Sequence, residues 1–271
     1  MEMTVGFIGT GNMGGALAKA AAKAVPGRNI FLYDSLEEKS AALAAELGCV
    51  ASTMTDAAKC RYLFLGVKPQ MMEQMFSQLA PVLAQQEEIV LVSMAAGVSI
   101  SRIQQLAGKA YPVIRIMPNM PVSVGEGMIL YDVSDNVTEG QLNGFLQCMA
   151  YAGKLDRLAE NLIDAGTSVS GCGPAFAFLF VEALTQGGVA CGLTEEQAML
   201  YAKQTLLGAA RLALESSNHP SQLRQAVCSP GGSTIEGIHA LENANFNDAV
   251  IDAVKASYKR NQELGKSVLS N

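Results

Sequence analysis

VGFIGTGNMGGAL, running from Val5 to Leu17, decides how the rest of the chain is read. It begins as an apolar run, turns on Gly9, Gly11 and Gly14 in the spacing G-x-G-x-x-G, and continues as an Ala- and Leu-rich helical pattern. Each glycine answers a separate demand. The first allows a tight turn, the second lets the backbone approach a pyrophosphate, and the third lets the helix pack closely on the strand, with the helix N-terminus facing the phosphates. The spacing alone occurs in very many sequences, so its setting carries the weight. A strand precedes it, a helix follows, and an acidic residue, Asp34, closes the next strand about 20 residues on. Dinucleotide binding is the reading; a tight strand-to-helix turn with no ligand is the bland alternative. Asp34 itself reads two ways. A carboxylate there accepts a hydrogen bond from a ribose 2′-hydroxyl and repels a 2′-phosphate, favouring NAD over NADP; otherwise it is a solvated or helix-capping group.

Outward from this motif, TVGFIG, NIFLYD, RYLFLGV, EIVLVSM and YPVIRIM are near-continuous apolar runs, as expected of strands buried on both faces of a parallel sheet. Helix-start signals fall between them, with Ser35 and Glu38, and Thr138 and Gln141, at capping-box spacing. The order is βαβα, so the fold class is α/β: a Rossmann-type, doubly wound, mostly parallel sheet. GMILYDV and KLDRL complete the sheet near residue 157. Residues 1–157 are expected to form the dinucleotide-binding domain and residues 158–271 an all-helical domain. A shift in composition, rather than a linker, marks the boundary. From Ala165 to Val181 no residue is charged, so the helix starting near Pro174 is apolar all round and is expected to be a central core helix, with a subunit interface as an overlapping alternative. Two loops, GVKPQ (Gly66 to Gln70) and SMAAGVS (Ser93 to Ser99), follow strands on the sheet edge where such folds bind ligands. Lys68 in the first could reach a phosphate or the substrate, or is a plain surface lysine.

Composition narrows the classes. A chain of 271 residues suits two domains, and 49% hydrophobic against 16% charged residues implies a surface that is either sparse in charge or partly covered by another subunit, with an oligomer the favoured reading. The net charge of −6 and the scattering of the 19 Lys and Arg argue against a nucleic-acid partner. Cysteines at 49, 60, 148, 172, 191 and 228 form no CxxC pair and read as reduced, packed thiols, which fits a cytoplasmic location. The N-terminus enters a strand with no basic leader, and no apolar stretch is expected to reach the roughly 18 residues of a membrane span. His219 and His239 lack partners at metal-ligand spacing, so no metal is expected.

A second glycine-containing stretch, VCSPGGSTIEG from Val227 to Gly237, again resembles an anion-binding loop at a helix start. Ser233 and Glu236 have capping-box spacing, which supports a helix start there, and its backbone N–H groups, those of Gly232, Ser233 and Thr234, are expected to hold an anion such as a carboxylate. A simple helix-to-helix turn with an N-cap is the alternative.

Taken in order, FIGTGNMG, LGVKPQ, SMAAGVS, RIMPNMPVSVGEG, SGCGPAF and VCSPGGSTIEGI resemble the Δ1-pyrroline-5-carboxylate reductases over essentially the whole chain. SPGG followed by a hydroxyl residue is the most specific element, and MPN-x-P is next. The resemblance implies an NAD(P)H-dependent oxidoreductase that reduces 1-pyrroline-5-carboxylate to L-proline, the last step of proline biosynthesis. It also implies a homodimer through the helical domain, often assembled into a decamer. The cofactor it implies is NADPH, with NADH left open by Asp34. By the same resemblance Ile8, Gly9, Thr10, Gly11, Asn12 and Met13 form the pyrophosphate loop, and Asp34 and Ser35 meet the adenosine ribose. Val67, Lys68 and Pro69, then Ala95, Ala96 and Gly97, line the cofactor, and Asn119 lies beside the nicotinamide. Val227, Ser229, Gly232, Ser233 and Thr234 form the substrate loop, with Thr234 contacting the imine nitrogen. Departures from the family pattern are Thr53 for an asparagine, GVKP for AVKP, SGCGPAF for SGSGPAY, and Met120 for a threonine. A β-hydroxyacid dehydrogenase would carry a lysine on a helix of the second domain, and Ala165 to Val181 has none. A reductase of another cyclic imine and a non-catalytic dinucleotide sensor remain as alternatives.

Overall fold

The computed structural model describes residues 2–269; Met1, Ser270 and Asn271, at the outer ends of the two expected domains, lie outside the described residues. By its internal contacts the chain divides into two compact units. One runs to Cys172 and includes the residues from Ser257 onward; the other is Gly173–Ala256.

The first unit is built on one eight-stranded sheet: β1 (Val5–Ile8), β2 (Ile30–Tyr33), β3 (Val50–Ala51), β4 (Tyr62–Leu65), β5 (Val90–Ser93), β6 (Val113–Met117), β7 (Gly127–Val133) and β8 (Gly153–Arg157). The strand order is β3-β2-β1-β4-β5-β6-β7-β8, with β6 and β7 antiparallel and every other pair parallel. Order reverses between β1 and β4, which makes the crevice beyond their C-terminal ends the topological switch point. Helices α1 (Asn12–Ala24), α2 (Glu37–Leu47), α3 (Met54–Ala57), α4 (Met72–Leu83), α5 (Ile100–Ala107), α6 (Glu139–Cys148) and α7 (Ile163–Ser170) belong to this unit.

Because the helices cover both faces, the strands bury side chains in both directions, and two separate apolar clusters result. Phe7, Phe64 and Phe145 lie in one, with α1 supplying Leu17, Ala18 and Ala21. Leu63, Leu65, Phe76 and Leu79 lie in the other. Phe7 stacks on Phe64 with ring centroids 4.5 Å apart, and each fully buried aromatic side chain contributes about 1.5–3 kcal/mol. The small residues of α1 let that helix approach the sheet closely, which fixes where its N-terminus points.

The second unit contains α8 (Gly173–Ala190), α9 (Glu195–Glu215), α10 (Pro220–Val227), α11 (Ser233–Asn243) and the first part of α12 (Phe246–Leu269). Helices α8 and α9 form a hairpin in which Gly188 faces Ala198, so that a Cβ on Gly188 would lie 2.9 Å from the alanine methyl. A Thr194–Gln197 capping box starts α9.

Several expectations need correction. Helix α8 is not a core helix within the chain: Thr185 is its buried residue, while Phe178 and Leu179 are 62% and 66% exposed. An all-apolar helix looks the same in sequence whether its own chain or a second one covers it. The stretch Glu160–Ala190 is also long and apolar enough to cross a membrane by length and composition, contrary to the expectation that no stretch would be. Its apolar residues are diluted by Gly, Ser and Thr, so no single uninterrupted run announces it.

Of the two expected capping boxes in the sheet region, Thr138–Gln141 forms, but Ser35–Glu38 does not. Helix α2 starts at Glu37 with Leu36 as N-cap, two residues beyond Ser35. Cys60 and Cys148 are packed as expected, and burial pushes both thiols up to about 12. Cys191 is exposed instead, since it lies at the end of the α8–α9 hairpin.

Candidate functional site

The glycine loop leaves β1 at the switch point. Gly9 has φ +94, a left-handed conformation that an L side chain rarely adopts, and a Cβ there would lie 2.6 Å from the carbonyl oxygen of Gly66. Gly66, the first residue after β4, meets the same constraint in reverse, because its Cβ would lie 2.6 Å from the Gly9 oxygen. The loops after the two strands therefore touch backbone to backbone. The pairing of Gly9 with Gly66 is one that the sequence does not disclose. Gly14 closes the turn, for a Cβ on it would collide with the Gly9 carbonyl oxygen.

Gly11 is the N-cap of α1, no side chain caps it, and the first turn carries no acidic residue. The positive end of the helix is thus left to an outside anion. Gly11 and Asn12 are exposed, while the Met13 side chain turns inward and packs on the core.

Asp34 directly follows β2, and its carboxylate is turned back on the loop. Oδ2 accepts from Thr10 N at 2.8 Å and Thr10 Oγ1 at 3.2 Å, and Oδ1 accepts from Leu36 N at 3.0 Å. Burial alone would raise this carboxyl, but the hydrogen bonds from Leu36 and Thr10 together outweigh it and hold the group below the usual carboxylate range. Asp34 is therefore ionised at neutral pH and braces the loop.

A cavity of about 400 Å³ opens beside it. It brings together Ile8, Gly9, Gly11, Asp34, Ser35, Val67 and Lys68, as the sequence predicts, and adds Tyr33, Met54, Met71, Gln74 and Gln78. A second cavity on the other side of Gly11 holds Thr10, Asn12, Lys19, Lys39 and Ser123. The long, partly apolar trough with a glycine-backbone cradle at its centre fits a dinucleotide. Thr53, outside the trough lining, caps α3 by accepting from Asp56 N at 3.1 Å.

Ala95, Ala96 and Gly97 form a turn after β5, on the same sheet edge, in which Val98 N donates to Ala95 O. Gly97 has φ +74. Asn119 follows β6 and is 8% exposed. Both halves of its carboxamide are engaged: Nδ2 donates to Ser170 O at 2.9 Å and Oδ1 accepts from Met128 N at 2.9 Å. Asn119 ties the start of β7 to the end of α7. Asn119→Ala should lower stability by about 1–3 kcal/mol, read as a fall in Tm; an unchanged melting curve would contradict this strut.

In the second unit, the turn between α10 and α11 carries the residues expected to form the substrate loop. Gly231 has φ +70, and Gly232 N donates to Ser229 O at 3.0 Å, so that amide is already used. Ser233 begins α11 as expected, but the Ser233–Glu236 capping box is absent. Gly232 is the N-cap, and Ser233 sits one position inside the helix, where its hydroxyl cannot cap. The helix start is left without a side-chain acceptor, with Ser229, Ser233 and Thr234 exposed around it.

Comparison with known proteins places these two features in one family. Residues 160–264 match the family model described as pyrroline-5-carboxylate reductase dimerisation, and residues 4–97 match one described as NADP oxidoreductase coenzyme F420-dependent. The pyrroline-5-carboxylate reductase of Pisum sativum is 38% identical over 264 residues, covering 96% of each chain. The chain belongs to the pyrroline-5-carboxylate reductase family. The reductase of Escherichia coli (strain K12) is 35% identical, covering 98% of this chain and all of that one. Among solved structures, the pyrroline-5-carboxylate reductase of Coxiella burnetii superposes with a TM-score of 0.89 at 32% identity, covering 97% of this chain and 99% of that chain. The two family models fall on different parts of the chain: one spans the first strands of the sheet with the glycine loop, the other the helices that include the SPGG turn.

Proposed function

We propose that the protein reduces 1-pyrroline-5-carboxylate to L-proline, with NAD(P)H as reductant, using the glycine cradle for the dinucleotide and the SPGGST turn for the substrate. The observation that carries this reading is likeness to pyrroline-5-carboxylate reductases over 96% of the chain, with the SPGGST turn intact and its helix start uncapped. A related reductase from Plasmodium falciparum, 29% identical with a TM-score of 0.86 over 97% of this chain and 98% of that one, was solved with NADP bound, which supports NADPH.

Three tasks fall to the protein: hold a carboxylate, hold the ring against the nicotinamide, and keep a proton on the imine nitrogen. The nicotinamide supplies the hydride, and a protonated imine is already electrophilic, so positioning is the main contribution of the side chains. With the Gly232 amide occupied, the amides of Ser233 and Thr234 are the ones that head α11 for a carboxylate. Thr234 Oγ1 then orients the ring nitrogen. Neither histidine has a part in this scheme.

Specificity for ring size rests on pocket shape, and one methylene changes binding by only about 1–3 kcal/mol. Steady-state rates with five- and six-membered cyclic imino acids, each with NADPH and with NADH, test the reading. Higher kcat/KM for the five-membered ring is expected; preference for the six-membered ring would assign the chain to another imine substrate.

The exposed apolar residues of α8 lie within the segment that matches the family's dimerisation model, so a second copy of the chain is the partner that covers them. Light scattering at micromolar concentration should give a dimer or a multiple of it, up to a decamer; a stable monomer would refute the interface. The unpaired cysteines fit action in the reducing cytoplasm.

A further inference from the structure

The last turns of α12, from Ser257 onward, belong to the first unit. Asn261 and Gly265 both hold them there. Asn261 Nδ2 donates to Ser168 Oγ at 3.2 Å and to Asp164 O at 3.3 Å, both on α7, and Ser168 is fully buried. One turn further along, Gly265 lies against the Ala95–Gly97 turn, so close that a Cβ on Gly97 would sit 3.0 Å from Gly265 Cα and 3.1 Å from its nitrogen.

The same turn is held on its far side. Ile100 N, which opens α5 just after it, donates to Glu160 Oε1 at 2.7 Å. Glu160 also pairs at 3.0 Å with Arg115, whose side chain is 6% exposed. Arg115 is buried and Glu160 partly so, and the one carboxylate oxygen that accepts from both Arg115 and Ile100 N ties the α5 end of the turn to β6. The turn thus lies between a fixed ion pair and the backbone of the C-terminal helix.

We propose that residues 261–265 of α12 are positioning residues for the dinucleotide, with Gly265 as the wall that sets the Ala95–Gly97 turn and Asn261 as the fastening that holds the wall to α7. The proposal rests on the reading that this turn contacts the dinucleotide. It extends the cofactor half of the site to a segment near the other end of the chain, which no local sequence signal marks. The contact is sterically lopsided: a Cβ built on Gly265 would meet Gly97 Cα and O at an ordinary 3.9 Å, whereas a longer side chain would press on the turn.

Dinucleotide Kd, measured by fluorescence of bound NADPH in the full-length protein without imine, tests this alongside KM for each substrate. Gly265→Leu and Asn261→Ala should each raise Kd and KM for NADPH about three- to tenfold, the size of coupling that packed contacts carry, with KM for the imine unchanged. Gly265→Ala, whose Cβ would meet the turn at an ordinary 3.9 Å, should raise Kd less than Gly265→Leu does, which separates displacement of the turn from loss of helix integrity. Gly97→Ala serves as the direct probe of the turn. If Gly97→Ala weakens NADPH while Gly265→Leu and Asn261→Ala, folded by circular dichroism, leave Kd unchanged, the proposal is overturned and the reading of the turn stands. If Gly97→Ala also leaves Kd unchanged, the turn does not serve the dinucleotide, and both fall.

Discussion

Gly14→Ala is expected to remove dinucleotide-dependent turnover, lowering kcat/KM at least about a hundredfold, since overpacking a tight backbone contact costs about 1–3 kcal/mol or more and here displaces the phosphate cradle itself. The cause is local. A methyl on Gly14 would collide with the carbonyl oxygen of Gly9, and Gly9 cannot retreat, because on its other side it abuts Gly66. Either α1 lifts from the sheet or the loop reshapes, and both misdirect the helix N-terminus. Gly15→Ala is the matched control: its Cβ would lie 3.3 Å from Thr10 O and 3.6 Å from a Leu43 methyl, a contact the neighbours relieve by small shifts. Gly11→Ala separates stability from binding. Nothing lies within 4 Å of a Cβ at that position, so Tm should hold while dinucleotide Kd rises. A Gly14→Ala protein with normal kcat/KM would show that the cradle does not hold the dinucleotide.

Thr234→Ala should lower kcat/KM for the imine at least about tenfold, the worth of a hydrogen bond to a charged group. Thr234 is exposed at the start of α11, so its loss should leave the melting temperature unchanged. Dinucleotide Kd should be unaffected too, which distinguishes an effect on the substrate from one on the cofactor. Thr234→Ser keeps the hydroxyl and should recover most of the lost rate. Unchanged kinetics in Thr234→Ala would remove Thr234 from the reaction while leaving the carboxylate clamp to the α11 amides.

Most of the sheet was legible because its strands are buried on both faces, which prints each one as an unbroken apolar run such as YLFL at Tyr62–Leu65. The exception, Val50–Ala51, is two residues long and partly exposed at the sheet edge, too short to form a pattern. Capping signals misled where the backbone shifted the helix start by one or two residues, as at Ser35 and Ser233, because spacing fixes only the distance between the two partners.

The contents of the cofactor cavity were legible where a motif names them and not where only space does. Gly66 is constrained by Gly9, far away along the chain, and Gln74 and Gln78 face the cavity from a helix with no ligand-binding signature. Asp34 is legible as the acidic residue that meets the C-terminal end of β2, one residue past the strand. Its grip on Thr10, however, depends on how the loop folds back, which no sequence spacing expresses. The fold-back of residues 257–265 onto the first unit is equally silent in sequence, since two glycines and an asparagine announce nothing until they meet.

The most direct test of the central claim is the stoichiometry of turnover: NADPH oxidised by purified protein in the presence of 1-pyrroline-5-carboxylate, with L-proline quantified in the same samples. The expected result is imine-dependent oxidation, with one proline formed for each NADPH consumed. Absence of imine-dependent oxidation with either NADPH or NADH, or oxidation without proline, would contradict it.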